Sequence, residues 1–202
     1  MGNAKPGAVT GVFRRIGRTG SELLLSPEIR AAPAIPHETS MSDLVHARIT
    51  FYGYPDNDDG QGHFGTSVIA LALTWQGRPR NVDATGVPFA GGAGTFDDPM
   101  TAAASAGNPI FPAGTLVYIP GLRKYFLVED ECASCTEAAW LDLWMESNIA
   151  SDPDLVESCE WAWTGDPMRE REILLHPPPD LDVDPTPFVD PVSGRCSTAF
   201  WW

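Results

Sequence analysis

Apolar and polar positions alternate most cleanly in three segments of the chain. Ala139-Trp140-Leu141-Asp142-Leu143-Trp144-Met145 reads as a strand with Trp140, Asp142 and Trp144 on one face and Leu141, Leu143 and Met145 on the other. Arg48-Ile49-Thr50-Phe51-Tyr52-Gly53-Tyr54 alternates in the same way and stops at the turn-forming run Pro55 to Gly60. Thr115 to Ile119 and Lys124 to Asp130 flank a Pro120-Gly121 turn, the pattern of a hairpin. Val68 to Trp75 and Glu172 to Leu175 read as two further strands. The spacing predicts one short helix from an Asp152 cap, with Pro153 in its first turn, to Trp161. Before Ala47 no periodicity is sustained and Pro27, Pro33 and Pro36 interrupt any helix, so residues 1–46 are expected to be a mobile leader. The folded domain is expected over 47–176, and Pro177-Pro178-Pro179 is expected to open an extended acidic tail, 177–202, ending in Phe200-Trp201-Trp202.

Composition supports a mainly β protein, since 19 Gly and 19 Pro in 202 residues suit short strands joined by many turns. Net charge is −14, and residues 1–46 carry five Lys/Arg against four Asp/Glu, leaving eight against 23 in the rest. An acidic folded part argues against nucleic acid or an anionic membrane as partner. No apolar run approaches the length of a membrane span. Leu23-Leu24-Leu25 is too short for a secretory h-region, giving the expectation of a cytoplasmic protein, or of a secreted one if an export signal lies outside this chain. Cys132-Ala133-Ser134-Cys135 is a CxxC with Cys159 and Cys196 far downstream, a spacing that suits disulfides better than zinc and leaves the pairing open.

The chemistry centres on Asp142. A carboxyl between indoles loses solvation of its charged form, which raises its pKa and makes it a proton donor near neutrality. Asp130, at the end of what reads as a neighbouring strand, is the expected carboxylate partner; Glu129 and Glu131 should then face the opposite way. Asp56 and His63, in the loop after the first strand, are further acid/base candidates. Trp140, Trp144, Tyr52, Tyr54 and Tyr125 are expected to line a substrate groove. Asp56 to Gly60 lacks the sixth-position Gly and twelfth-position Glu of a calcium loop, and Gly91-Gly92-Ala93-Gly94 lacks the lysine of a phosphate cradle. No metal or cofactor is therefore expected, and no G-x-S-x-G elbow supports serine hydrolysis.

Thr50-Phe51-Tyr52-Gly53, Gly94-Thr95-Phe96-Asp97-Asp98-Pro99, Pro112-Ala113-Gly114-Thr115, Lys124 to Asp130 and Leu141-Asp142-Leu143-Trp144, in this order, resemble the double-psi β-barrel superfamily. That superfamily includes barwin-like proteins, expansins, barwin-like endoglucanases, RlpA-like and other lytic transglycosylases and the Streptomyces papain inhibitor, whose branch the chain resembles most. The resemblance implies a six-stranded double-psi barrel with an open groove, a short helix and irregular N- and C-terminal extensions. It implies catalytic carboxylates near Asp56 and at Asp130 and Asp142, although the endoglucanase His two residues before the strand Asp is here Trp140. The expected function is a cofactor-independent acid/base enzyme, a lyase or cyclase acting on a small, partly apolar molecule, for example by dehydration or cyclisation in secondary metabolism. Glycan cleavage or wall loosening, and non-catalytic inhibition of a papain-like protease, are the alternatives.

Overall fold

The computed structural model describes residues 43–165, 168–190 and 193–197. Its elements are β1 (Leu44–Tyr52), β2 (Thr74–Trp75), β3 (Arg78–Pro79), β4 (Met100–Ala104), β5 (Leu116–Ile119), β6 (Lys124–Glu131), β7 (Trp140–Trp144), α1 (Pro153–Thr164) and β8 (Glu170–Leu175). The leader expected at 1–46 and the Phe200-Trp201-Trp202 end lie outside the described residues, except that β1 already begins at Leu44, three residues before the expected start.

Six of the strands form a mixed sheet with hydrogen-bonded order β1-β7-β4-β6-β5-β8, and β8 pairs in turn with β1. The β1/β7 and β4/β6 pairs are parallel and the other four antiparallel. The expected hairpin is β5 and β6, with Leu116 opposite Leu127 and Ile119 opposite Lys124.

Strand alternation sorts the side chains into layers. Ile49 and Phe51 of β1, Met100 and Ala102 of β4, Phe126 and Val128 of β6 and Leu141 and Leu143 of β7 fill one core. The intervening residues pack on the other face in two smaller clusters, one around Tyr52, Ala103 and Trp144 and one around Tyr118, Tyr125 and Leu127. Helix α1 starts at the expected Asp152 cap, whose carboxylate accepts the Asp154 amide at 3.1 Å, and runs three residues beyond Trp161. It buries Val156 and Cys159.

Two expectations need correction. Val68 to Trp75 forms a strand only at Thr74–Trp75, which pairs with β3. Every strand of the six already has a hydrogen-bonded neighbour on both sides, so the sheet offers this segment no edge. It is instead fastened singly, by the Ala70 amide to Asp130 and the Leu71 amide to the Glu129 carbonyl. Nor does the folded domain end at 176, because the extended stretch after it is part of the domain: Tyr125 Oη donates to the Pro178 carbonyl at 2.6 Å, Tyr118 Oη to the Asp182 carbonyl at 2.7 Å, and Phe188 and Val189 are buried in the main core.

The cysteines pair as Cys132–Cys135 and Cys159–Cys196. The second joins the helix to this returning segment across 37 positions, for which loop-closure entropy gives about 4 kcal/mol, against about 2 kcal/mol for the three-position bridge. Cys196→Ser is accordingly expected to lower the unfolding free energy by about 3–4 kcal/mol in denaturant titration, and Cys135→Ser by about half as much. Equal losses would show that the two bridges stabilise the fold by something other than chain closure.

Candidate functional site

Asp142 sits in a row of paired residues that crosses four strands. It is opposite Thr50 of β1 on one side and Ala103 of β4 on the other, and Ala103 is in turn opposite Asp130 of β6. Directly paired residues share a face, so both carboxylates lie on the face that carries Tyr52, Ala103 and Trp144. The expectation that their strands are neighbours is wrong: β4 lies between them. At about 4.8 Å per strand the two backbones are roughly 10 Å apart, and the intervening side chain is only a methyl group.

Asp130 reaches this face because of a bulge. The β4/β6 register shifts between Ala102, opposite Val128, and Ala103, opposite Asp130, leaving Glu129 as the extra residue on β6. After a bulge the alternation restarts with the next residue turned over. Glu129 therefore meets Thr101 and Arg80 on the sheet's outer side, and Asp130 follows on the same side instead of the opposite one.

Their surroundings differ. Asp142 Oδ1 accepts a bond from Thr50 Oγ1 at 2.7 Å, and that hydroxyl accepts one from Trp140 Nε1 at 2.9 Å, which fixes its proton on the carboxyl. Desolvation by the packed face, opposed by the Thr50 bond and reinforced by the charges of Asp56 and Asp130, pushes the Asp142 carboxyl up to about 7. Burial raises Asp130 as well, but three donors oppose it: Tyr52 Oη at 2.8 Å, the Ala70 amide at 2.9 Å and the Glu131 amide at 2.9 Å. The Tyr52 hydroxyl is pushed well above its usual value, first by burial and then by the Asp130 charge, so it remains a proton-bearing donor.

Beside this row lies a cavity of about 320 Å³ whose wall includes Asp130, Glu131, Asp58, Asp59 and Cys132. Cys132 Sγ is 4.0 Å from Asp142 Oδ2 and so links the cavity wall to the acid. Among the described residues none that lines the cavity is aromatic. A second hollow of about 420 Å³ beside β2 and β3 is walled in part by matched pairs, Arg80 with Asp98 and Gln76 with Asp97, and by Asn81, whose Nδ2 has no hydrogen-bond partner among the described residues.

The other expected site residues are placed as follows. Asp56 clamps its own turn, accepting the Gly53 amide at 2.9 Å; burial raises its pKa and its charge reaches Asp142. His63 is exposed, its Nδ1 2.9 Å from Asp59 Oδ2, and that contact raises the imidazole and lowers the carboxyl. It meets the cavity only through Asp59. Trp144 is buried edge-on to Tyr52 at 5.3 Å and offers no bare stacking face, and half-buried Trp140 has one ring face covered by the Arg48 guanidinium at 4.7 Å. Tyr54 packs partly buried beside them. Tyr125 does not belong to the site: it is fully buried in the other outer cluster and its hydroxyl holds the returning chain at Pro178 and Leu181.

Sequence reasoning missed Thr50, Ala103 and Glu160. Glu160 is 7% exposed, its Oε1 has no hydrogen-bond partner among the described residues, and burial followed by the charges of Asp56 and Asp142 pushes it up to about 8. Its signal was an acid one position after Cys159 on the apolar stripe of α1, at i+4 from Val156. Among the described residues Cys132, Cys135 and Asp142 bring ligand-type atoms within 4.8 Å of one another, but both sulfurs are spent in a disulfide and offer no thiolate to an ion. No described helix is long and apolar enough to cross a membrane.

The chain is similar to the protein described as "Uncharacterized protein DDB_G0273701/DDB_G0273221" of Dictyostelium discoideum, at 34% identity over 115 residues. That match covers 53% of this chain and 47% of the relative, so the chain spans about half of the relative's length. No solved structure matches. A family model described as the DDB_G0273701 N-terminal domain matches residues 44–197, from the first strand to the residue after the last cysteine, and the chain belongs to that family.

Proposed function

We propose that this protein is a cofactor-independent acid/base enzyme in which Asp142 donates a proton and Asp130 accepts one, acting on a small hydroxyl-bearing molecule held in the adjoining cavity. The observation that carries the reading is a desolvated carboxyl, oriented by the Thr50–Trp140 relay, across one small residue from a carboxylate held by three donors. Unlike surroundings divide acid and base roles between two carboxyl groups. Loss of water from a carbon acid needs both: a base on the C–H and an acid on the departing hydroxyl. Dehydration, with cyclisation if the cavity holds the chain folded, is the reaction class we favour.

The four acids of the wall, Asp58, Asp59, Asp130 and Glu131, favour a hydroxylated or cationic substrate over the partly apolar molecule expected from the tryptophans. The covered Trp140 face and buried Trp144 weigh against a glycan stacked on indoles. For the fold, we propose a closed double-psi barrel related to the papain-inhibitor-like branch; the cyclic strand pairing and its two parallel pairs support this.

The test is a gene deletion complemented with wild type or Asp142→Asn, followed by metabolite profiling. A hydroxylated compound should accumulate in the deletion and in the Asn strain and return to its normal level with wild type. An unchanged profile on deletion overturns the enzymatic reading.

A further inference from the structure

We propose that Cys132–Cys135 is a redox-active disulfide opened by a small dithiol, with Asp142 as the proton donor to the departing sulfur. The bridge spans three positions at the end of β6, and Cys132 belongs to the cavity wall, where an incoming thiolate meets it. The sulfurs of Cys132 and Cys135 and a carboxyl oxygen of Asp142 lie within 4.8 Å of one another, and Ser134 Oγ is 3.3 Å from Cys132 Sγ. The loop has a second tie besides the bridge, because the Cys132 amide bonds the Ala104 carbonyl at 2.9 Å. In Cys159–Cys196 the helix cysteine is 1% exposed and Cys196 half-buried, and the Cys159 sulfur faces the Phe188 carbonyl at 3.5 Å instead of a carboxyl.

The exchange balances without further reactants. A thiolate of the dithiol attacks Cys132 Sγ; the S–S bond breaks and its electron pair goes to Cys135 Sγ, which takes the proton from the Asp142 carboxyl. The second thiol of the reagent gives its proton to the Asp142 carboxylate and attacks its own sulfur in the mixed disulfide. Cys132 leaves as a thiolate and takes up the proton released when the first thiol ionised. The net change is two electrons and two protons moved from the dithiol to Cys132 and Cys135, with Asp142 restored. The groups facing Asp142 are Asp130 from β6, Tyr52 from β1, Asp56 from the loop after β1 and Glu160 from α1. All are acids, and the negative charge of Asp56 and Asp130 disfavours the Asp142 carboxylate and so keeps the proton on it.

The experiment treats the full chain with dithiothreitol under native conditions, quenches by alkylation and reads each cysteine pair by peptide mass. Cys132–Cys135 should open while Cys159–Cys196 stays closed and the circular dichroism is unchanged. Its rate, divided by thiolate concentration, should fall about tenfold per pH unit above about 7, as the donor is lost. In Asp142→Asn the rate should drop at least tenfold at pH 6 and lose that fall. If the Asn variant does not fold, the wild-type selectivity and pH profile decide alone. Opening of both bridges together with loss of structure, or a thiolate-normalised rate independent of pH, overturns the proposal. No substrate is involved, so this result and that of the deletion experiment stand or fall separately.

Discussion

Asp142→Asn is expected to cut turnover by about 10²–10⁴, the contribution of a positioned proton donor, while making the protein more stable above pH 7. Both effects have one cause. The Asp142 carboxyl titrates at about 7 in the folded chain against an ordinary value of 3.8. Between those values the folded state binds more protons than the unfolded one, so stability falls as pH rises through that window, and the loss is complete above about 7. The full separation corresponds to at most about 4 kcal/mol. Asparagine carries no such penalty and still accepts the Thr50 bond through its carbonyl oxygen. Denaturant titrations at pH 5 and pH 8 should therefore show the variant gaining on wild type by about 2–4 kcal/mol between the two. Some pH dependence will survive, because Glu160 is raised in the same direction, to about 8. Full turnover by the variant would remove Asp142 from the chemistry.

Arg80→Ala is expected to be among the most damaging single changes in the molecule, at about 3–5 kcal/mol. The guanidinium is 6% exposed and donates four bonds: to Glu129 Oε1 at 2.9 Å, Glu129 Oε2 at 3.3 Å, Asp98 Oδ1 at 2.9 Å and the Pro99 carbonyl at 2.6 Å. Glu129 is fully buried, with Thr101 Oγ1 as its other donor at 2.8 Å. Without Arg80 a buried carboxylate loses its counterion, and desolvation makes that costlier than the pair's net contribution. The change also strikes the site, since Glu129 is the bulge residue that turns Asp130 onto the face of Asp142. The apolar pair Arg80→Met with Glu129→Leu should recover most of the stability, as it leaves no charge unpaired, but not the orientation of Asp130. A loss below about 1 kcal/mol for Arg80→Ala would show that the buried pair contributes little to the stability of the fold.

The sheet was legible wherever alternation is unbroken. Ile49 and Phe51 against Thr50 and Tyr52, and Leu141 and Leu143 against Asp142 and Trp144, separate core from outer face by period alone. The helix was legible from Asp152 and Pro153, because its cap is a local bond. What alternation does not reveal is a single inserted residue, and so Glu129 was placed on the wrong side of Asp130; nor does it reveal strand order, and so β6 was set beside β7 although β4 lies between them. Tyr125 misled for a related reason: an aromatic strand residue looks the same whether its hydroxyl meets a ligand or a chain segment some 55 positions later, as it does at Pro178. Val68 to Trp75 has strand composition but no edge to join, which is decided by the other strands' pairing and not by the segment itself. Thr50 needed the β1/β7 register before its hydroxyl could be matched to Asp142. The acid itself was found because its two indole neighbours lie at i−2 and i+2, within one strand.

The account depends on one carboxyl being protonated at neutral pH. Carbon-13 NMR of selectively labelled aspartate, assigned by comparison with Asp142→Asn, follows that carboxyl directly through a pH titration. A midpoint near 7 is the expected result; a midpoint at or below about 4, the range of an ordinary solvated aspartate, would contradict it.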